Sequence, residues 1–303
     1  MDPMRRFLLR AVRRLLKEID VRLVRGLEGA QYFTPPENRA ELERWRRFFR
    51  TLDICGTGAE AYREVHLERL AQTMTLIPLP GASGRALELG CYMQMAAALA
   101  IELGYPEVRG AYLGPAGTAE SKAVTIAGRE VFRCGIDLFD AERDPFPYAG
   151  GHFDCVLACE IIEHLSRDPM HMLLEIRRVL SDAGTLILTT PNSASLRSIA
   201  QALHGYENPR VFGCYAHPEK NPGEAPHVHE YTPRELARTL EAAGFRIEML
   251  TTGRVGPHAE GWVYELLVRN GFDVSLRGEQ IYCRARKDAA LTPERYPHFL
   301  YAG

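Results

Sequence analysis

The chain has 303 residues, of which 46% are hydrophobic and 25% are charged. These values are typical of a globular protein and exclude a disordered or fibrous chain. The longest uninterrupted apolar stretch, residues 95–101, is far too short to cross a bilayer. The seven cysteines are scattered and form no C-x-x-C pair, which argues against a disulfide framework or a zinc site. A reducing compartment such as the cytoplasm is therefore expected.

The charge is unevenly distributed along the chain. Residues 1–50 contain thirteen Lys and Arg but seven Asp and Glu, a net of +6, so the remainder carries −8 of the overall −2. The net negative charge of residues 51–303 argues against a nucleic-acid partner. Residues 1–30 alternate apolar and basic positions at helical spacing, which predicts a basic amphipathic helix. Three interpretations stay open: packing on the domain or a second subunit, attachment to an anionic membrane surface, and a mitochondrial presequence, which has a similar composition.

Two more helices are predicted before the main domain, at 39–52 and 62–75, separated by a glycine-containing loop at 54–59. From residue 85 the chain alternates between strands and helices. The expected strands are 85–89, 108–113, 130–137, 153–159, 185–190, 246–250 and 280–286. The expected helices are 93–103, 169–180, 195–203 and 232–243. We expect two units, a basic helical segment at 1–57 and a main domain at 58–303.

The alternation predicts an α/β fold with a doubly wound, mostly parallel sheet covered by helices on both faces. Asp168 and Pro169 form an N-terminal helix signal, and residues 232–235 form a capping box. Residues 205–229, rich in Pro, Gly, Asn and His, form a long loop. Because such loops are often functional, we place residues 195–230 on the substrate side. Ligands of such sheets bind beyond the carboxyl ends of the strands.

Two sequence blocks lie at those strand ends. The first is ALELGCYMQM, in which a strand passes through Gly90 directly into a helix. The second is FDAERDPFPYAGGHFDCVLACEIIEHL, followed by a helix ending in RRVLSDAG and an apolar strand. Together they resemble the central block of class I S-adenosylmethionine-dependent methyltransferases, whose Rossmann-like sheet has seven strands. The runs ELGCYM, EIIEHL and HVHEYTPREL are most similar to a bacterial group linked to polysaccharide modification.

The resemblance implies S-adenosylmethionine as cofactor and assigns its contacts. Glu88 and Gly90 would border the methionine part, Asp140 and Ala141 the adenine, and Cys159 and Glu160 the sulfonium. Two positions depart from the family pattern. Gly90-Cys91-Tyr92-Met93-Gln94 keeps only the first glycine of the usual G-x-G-x-G, and Tyr92 is expected to pack over the cofactor. Tyr112 stands where the family has an acid that binds both ribose hydroxyls. The loss of this acid would weaken cofactor binding by about 1.5–3 kcal/mol.

These departures leave two hypotheses open. The first is an active O-methyltransferase that acts on a hydroxyl of a glycan or another small polar acceptor. The second is a non-catalytic methyltransferase-fold protein, such as a partner subunit or a ligand sensor.

The remaining candidate catalytic and metal-binding residues lie in the run from Glu160 to His164 and in the later pair, His227 and His229. If the run is helical, Glu160, Glu163 and His164 share one face. A similar run with a distant histidine holds magnesium in small-RNA 2′-O-methyltransferases. This resemblance implies a Mg²⁺ or Mn²⁺ site formed by Glu160, Glu163, His164 and His229. The alternative is that the run only caps a helix and lines the cofactor pocket. For the proton of the acceptor hydroxyl, the candidate catalytic residues are His227, His164 and Glu163.

Overall fold

A computed structural model describes residues 38–54, 59–204, 226–253 and 261–301. The amphipathic helix expected at residues 1–30 and most of the expected loop at 205–229 lie outside the described residues. No helix in the described ranges combines the length and apolar character needed to cross a membrane.

The described strands form one nine-stranded sheet in the order β1-β4-β5-β3-β2-β6-β7-β9-β8. The strands are β1 (Asp53–Ile54), β2 (Arg85–Leu89), β3 (Glu107–Tyr112), β4 (Thr118–Ile126), β5 (Arg129–Leu138), β6 (Phe153–Cys159), β7 (Leu180–Pro191), β8 (Phe245–Gly253) and β9 (Gln280–Lys287). The five central strands, from β5 to β7, are parallel, whereas β9 is antiparallel to both of its neighbours. The predicted doubly wound, mostly parallel sheet is confirmed.

All seven expected strands are present, and the described part of the chain adds two more, β4 and β1. Strand β4 was not predicted because most of its side chains are polar and exposed, which removes the apolar periodicity. It forms a hairpin with β5 through Ala127 and Gly128, both of which have positive φ. A two-residue turn with this backbone matches the twist of a hairpin.

Helices cover both faces of the sheet. They are α1 (Arg39–Thr51), α2 (Ala59–Met74), α3 (Gln94–Ile101), α4 (Pro169–Val179), α5 (Leu196–His204), α6 (Pro233–Ala242), α7 (Gly261–Arg269) and α8 (His298–Tyr301). Neighbouring residues of one strand point to opposite faces. Accordingly Leu186 and Leu188 contribute to the core with α4 and α6, whereas Ile187 contributes to the core with α1, α2 and α3. Helix α7 was not predicted.

Of the predicted N-terminal segment, residues 1–57, the structure describes residues 38–54, and these pack against the main domain. Trp45 and Phe49 of α1 are buried in the same core as α2 and α3, and β1 pairs with β4. Helix α1 begins at its cap Asn38, whose side chain accepts a hydrogen bond from Glu41 N. Burial of the two aromatic rings thus attaches residues 38–54 to this core, and the domain boundary between residues 57 and 58 stays a prediction.

Candidate functional site

The turn after β2 brings a buried carboxylate to the carboxyl edge of the sheet. Glu88 Oε2 accepts a hydrogen bond of 2.8 Å from Ala96 N in α3 and one of 3.2 Å from the Cys91 thiol. Burial raises the pKa of Glu88 to about 7. Gly90 has φ +62°, and a Cβ there would lie 3.3 Å from Ile161 Cδ1. The glycine is needed both for this conformation and for the close approach.

A pocket opens beside this turn, between α2 and the ends of β2 and β6. Its lining residues include Tyr62, Arg69, Glu88, Gly90, Tyr92 and Cys159. Arg69 is only 5% exposed, and its Nη2 donates to the Tyr62 hydroxyl at 2.8 Å. Its Nη1 lies 3.8 Å from Glu160 Oε1, whereas its Nε has no hydrogen-bond partner among the described residues. The pocket is thus lined by one guanidinium and by the carboxylate of Glu88, and the Glu160 carboxylate lies close to the guanidinium.

Arg69 was not among the predicted site residues. It lies next to Leu70 in α2, near Leu67 and Ala71, and these three apolar residues are buried. A cation at a core-facing position of a helix is rarely buried without a partner. The partner, however, lies 91 positions further along the chain, so the pairing could not be read from spacing.

Tyr92 and Tyr112 meet at this edge of the sheet. The Tyr92 ring stacks on the ring of Tyr62 with centroids 4.6 Å apart and an interplanar angle of 10°. Tyr112 meets Tyr92 edge-on at 5.7 Å, and its hydroxyl donates to that of Tyr92 at 3.2 Å. Lys122 Nζ lies 5.6 Å from the centre of the Tyr112 ring. The tyrosine that replaces the usual acid is therefore held in an ordered aromatic cluster.

Asp140 and Ala141 follow the end of β5. Asp140 Oδ1 accepts from Glu142 N at 2.9 Å, and Oδ2 lies 3.4 Å from Arg143 Nε. Ala141 packs partly against the core. These contacts fix the turn at the same carboxyl edge as Gly90, although neither residue lines the pocket beside α2.

Strand β6 ends at Cys159, which lines the pocket, and Glu160 follows directly. Glu160 has φ +55°, and its Oε1 accepts from Thr189 Oγ1 at 2.8 Å and from Gln280 Nε2 at 2.6 Å. Gln280 was not anticipated as a site residue. Cys159 lines the pocket, and burial raises the pKa of its thiol to about 12. The thiol therefore stays protonated near neutral pH.

The run from Glu160 to His164 is not one α-helix. Only Ile162–His164 form a short 3₁₀-helix, so Glu160 does not share a face with Glu163 and His164. Glu163 is fully buried, and its Oε2 accepts from Thr190 Oγ1 at 2.9 Å. Its Oε1 lies 3.9 Å from His164 Nε2. The carboxylates of Glu163 and Glu160 thus have different partners and lie on different sides of the end of β6.

His227 and His229, which precede α6, also have different partners. The ring of His227 lies edge-on to that of His164 with centroids 4.9 Å apart, and its Nδ1 is 2.8 Å from Glu230 Oε1. His229 Nε2 instead lies 2.9 Å from Glu235 Oε1 of the capping box. The side chains of the expected pair of catalytic histidines are therefore brought together beside Glu163, whereas the imidazole of His229 contacts Glu235.

These placements separate the four expected metal ligands into different groups. The expected set was Glu160, Glu163, His164 and His229, but Glu160 faces Arg69 and His229 faces Glu235. In the described ranges, one candidate ligand atom from each of Glu163, His164 and His227 lies within 4.8 Å of the others. The expectation of one shared group assumed that the run is a continuous helix, whereas only Ile162–His164 are helical.

A family model described as "Methyltransferase domain" matches residues 59–250, more than half of the chain. Two relatives named "Ubiquinone biosynthesis O-methyltransferase", from two strains of Cereibacter sphaeroides, are 31% and 32% identical over 132 residues. The match covers 43% of this chain and spans about half, 50%, of each relative.

Similar solved structures include an S-adenosylmethionine-dependent methyltransferase from Mesorhizobium loti. It is 18% identical, with a TM-score of 0.45, and the match covers 72% of this chain and 97% of that one. A SAM-dependent methyltransferase from Archaeoglobus fulgidus is 16% identical, with a TM-score of 0.46, and the match covers 83% and 100% of the two chains. The match to the family model shows that the chain belongs to the methyltransferase domain family.

Proposed function

We propose that this protein is an S-adenosylmethionine-dependent methyltransferase that methylates a hydroxyl group. The observation that carries the proposal is the buried Arg69 guanidinium, which lies among Glu88 and Glu160 at the carboxyl edge of the sheet. The amino-acid end of S-adenosylmethionine has a carboxylate and an ammonium group, so it needs both charges. The Nε of Arg69, buried without a partner among the described residues, fits a carboxylate oxygen.

The other pocket residues have complementary roles in this proposal. Glu88 attracts the ammonium group, and Cys159 and Glu160 border the sulfonium, where negative charge favours a cation. Asp140 and the backbone of Ala141 bind the adenine. The Tyr92 and Tyr112 hydroxyls serve the ribose in place of the usual carboxylate, with fewer and weaker hydrogen bonds. The cofactor supplies an electrophilic methyl group, and the chain supplies alignment and a site for the acceptor's proton.

The acceptor side is proposed to lie beside Glu163, His164 and His227. This trio lies just beyond Glu160, past the end of β6, and two of its members are partly exposed. Imidazole and carboxylate groups suit a hydroxyl acceptor, whose proton must leave as the oxygen attacks. The relatives named O-methyltransferases support oxygen as the acceptor atom. The resemblance to the polysaccharide-linked group supports a glycan or another small polar acceptor.

Calorimetric titration with S-adenosylmethionine and S-adenosylhomocysteine tests the cofactor. Micromolar binding, followed by transfer of a labelled methyl group to a member of a polyol and glycan panel, supports the proposal. Binding without transfer to any acceptor points to the ligand sensor or partner subunit. Absence of binding rejects the cofactor assignment.

Residues 1–30 require a separate test. We propose that this basic segment attaches the protein to the inner, anionic face of a membrane in the cytoplasm, or that it mediates self-association. Vesicles containing anionic lipid should retain the full chain but not a chain lacking residues 1–30. Equal retention rejects attachment, and a change of mass on truncation supports self-association instead.

A further inference from the structure

The geometry beside β6 points to a cation site. We propose that Glu163, His164 and His227 together bind one divalent cation of the zinc, manganese, iron or cobalt class. Their candidate ligand atoms lie within 4.8 Å of one another. The two parts of the chain are joined by the backbone, because Glu163 O accepts from Val228 N at 2.7 Å and from His229 N at 3.2 Å. The cluster is therefore built into the fold.

Both imidazoles are oriented by hydrogen-bond acceptors. His164 Nδ1 lies 3.1 Å from Pro226 O, and His227 Nδ1 lies 2.8 Å from Glu230 Oε1. A carbonyl or a carboxylate oxygen can only accept, so the proton of each ring is assigned to Nδ1 and the lone pair to Nε2. Metal-binding histidines are usually held by such an acceptor on the other nitrogen.

Glu163 provides an independent observation. Its side chain is fully buried, and among the described residues its Oε1 accepts no hydrogen bond. A buried carboxylate oxygen without a partner is costly. A cation between Glu163 and the two imidazoles would supply that partner and offset the charge.

The donor set selects the class of ion. Two imidazole nitrogens and one carboxylate oxygen suit Zn²⁺, Mn²⁺, Fe²⁺ or Co²⁺, whereas Mg²⁺ prefers oxygen ligands and retained waters. The side chains of His164 and His227 are 26% and 38% exposed, so one side of the cluster faces solvent. An acceptor hydroxyl can bind there, and coordination to the cation would lower its pKa.

The site is tested by cation binding to the full chain, without cofactor or acceptor. Protein stripped with EDTA and dialysed is titrated with ZnCl₂ and MnCl₂ by calorimetry, and with CoCl₂ by visible absorption. We expect one ion per chain with micromolar or tighter affinity for at least one of the three. Because methyl transfer is not measured, failure here is separate from failure of the proposed function.

Variants assign the binding to the cluster. Glu163→Gln and His227→Ala should each weaken binding at least tenfold. His229→Ala is the matched control, since His229 contacts Glu235 instead, and it should bind as the wild type does. His227 is partly exposed, so its variant should fold even if Glu163→Gln does not, and thermal melts verify this. Absence of binding, or binding that His227→Ala leaves unchanged, overturns the proposal.

Discussion

Arg69 and Glu160 form a buried ion pair that links helix α2 to the end of strand β6. Arg69 Nη1 lies 3.8 Å from Glu160 Oε1, and the two side chains are 5% and 19% exposed. The separation is longer than a hydrogen bond, so the pair is a charge contact. Arg69 Nε has no hydrogen-bond partner among the described residues. This contact joins the first helix after β1 to the proposed cofactor pocket.

Replacing Arg69 should weaken cofactor binding. A charge-assisted hydrogen bond contributes about 1.5–3 kcal/mol. Arg69→Met should therefore raise the calorimetric Kd for S-adenosylhomocysteine roughly ten- to a hundredfold. Arg69→Lys, which keeps the charge but loses the planar donors, should have a smaller effect. Arg50→Met on the exposed side of α1 is the control, and an unchanged Kd for Arg69→Met would reject the role of Arg69.

Glu88 should make cofactor affinity depend on pH. Burial raises its pKa in the free protein to about 7. Only the carboxylate attracts the cofactor ammonium, so affinity should rise with pH and level off above about pH 7. Below that value the Kd should increase up to about tenfold per pH unit, since one proton must be released. Titrations from pH 5.5 to 8.5 measure this, and Glu88→Gln should flatten the profile.

The same residue should lower the stability of the free protein at high pH. The folded-state pKa of about 7 exceeds the ordinary pKa of 4.5, so between these pH values the folded protein holds a proton that the unfolded protein has lost. The free energy of unfolding therefore falls as pH rises from 4.5 to 7. Glu88→Gln should be more stable than wild type at pH 8, by up to about 3 kcal/mol, and not at pH 4. Urea denaturation at both pH values tests the sign.

Tyr112 distinguishes a working pocket from an eroded one. Its ring and hydroxyl contact Tyr92, which stacks on Tyr62. If the pocket works as it is built around these rings, Tyr112→Asp should weaken binding of S-adenosylhomocysteine severalfold. The aromatic contact of about 0.5–1.5 kcal/mol that holds Tyr92 is lost, and nothing then holds the new carboxylate against the ribose. Tyr112→Phe, which keeps the ring, should have the smaller effect. A large gain in affinity for Tyr112→Asp would instead favour the non-catalytic hypothesis.

The C-terminal segment should stabilise the fold through Asp168. Arg295 Nη1 donates to Asp168 Oδ1 at 2.7 Å, and the Tyr301 hydroxyl donates to the same oxygen at 2.6 Å. The Arg295 hydrogen bonds lower the pKa of Asp168 to about 2 from 3.8. This stabilisation is complete above pH 3.8 and is lost as pH falls through 2. Partial exposure limits it to about 1–2 kcal/mol.

Thermal melts of Arg295→Ala test this contribution. The variant should be less stable than wild type at pH 6, and the difference should shrink as pH falls from 4 to 2. The control is Arg269→Ala, whose exposed pair with Glu265 on α7 should change stability by less than about 0.5 kcal/mol. A difference that stays constant across this pH range would contradict the role of the Asp168 carboxylate.

Local signals identified much of the fold. Asp168 caps α4 through the His171 amide, and Thr232 and Glu235 form the capping box of α6, as their order in the sequence predicts. Apolar periodicity located the seven expected strands. Strand β4 and helix α7 were not predicted. Most of their residues are exposed, so their apolar residues repeat with neither the period of a strand nor that of a helix.

The sequence by itself determined the strand–helix alternation, the glycine turn after β2 and the residue types at the carboxyl edge, because these depend on neighbours in the chain. Only the tertiary structure decided which side chains meet. It paired Arg69 with Glu160, and it placed the imidazole of His227, rather than that of His229, beside the side chains of Glu163 and His164. The positive φ of Glu160 and the short 3₁₀-helix after it direct the carboxylates of Glu160 and Glu163 away from each other. Such partners are set by backbone geometry and packing between distant segments, which sequence spacing does not record.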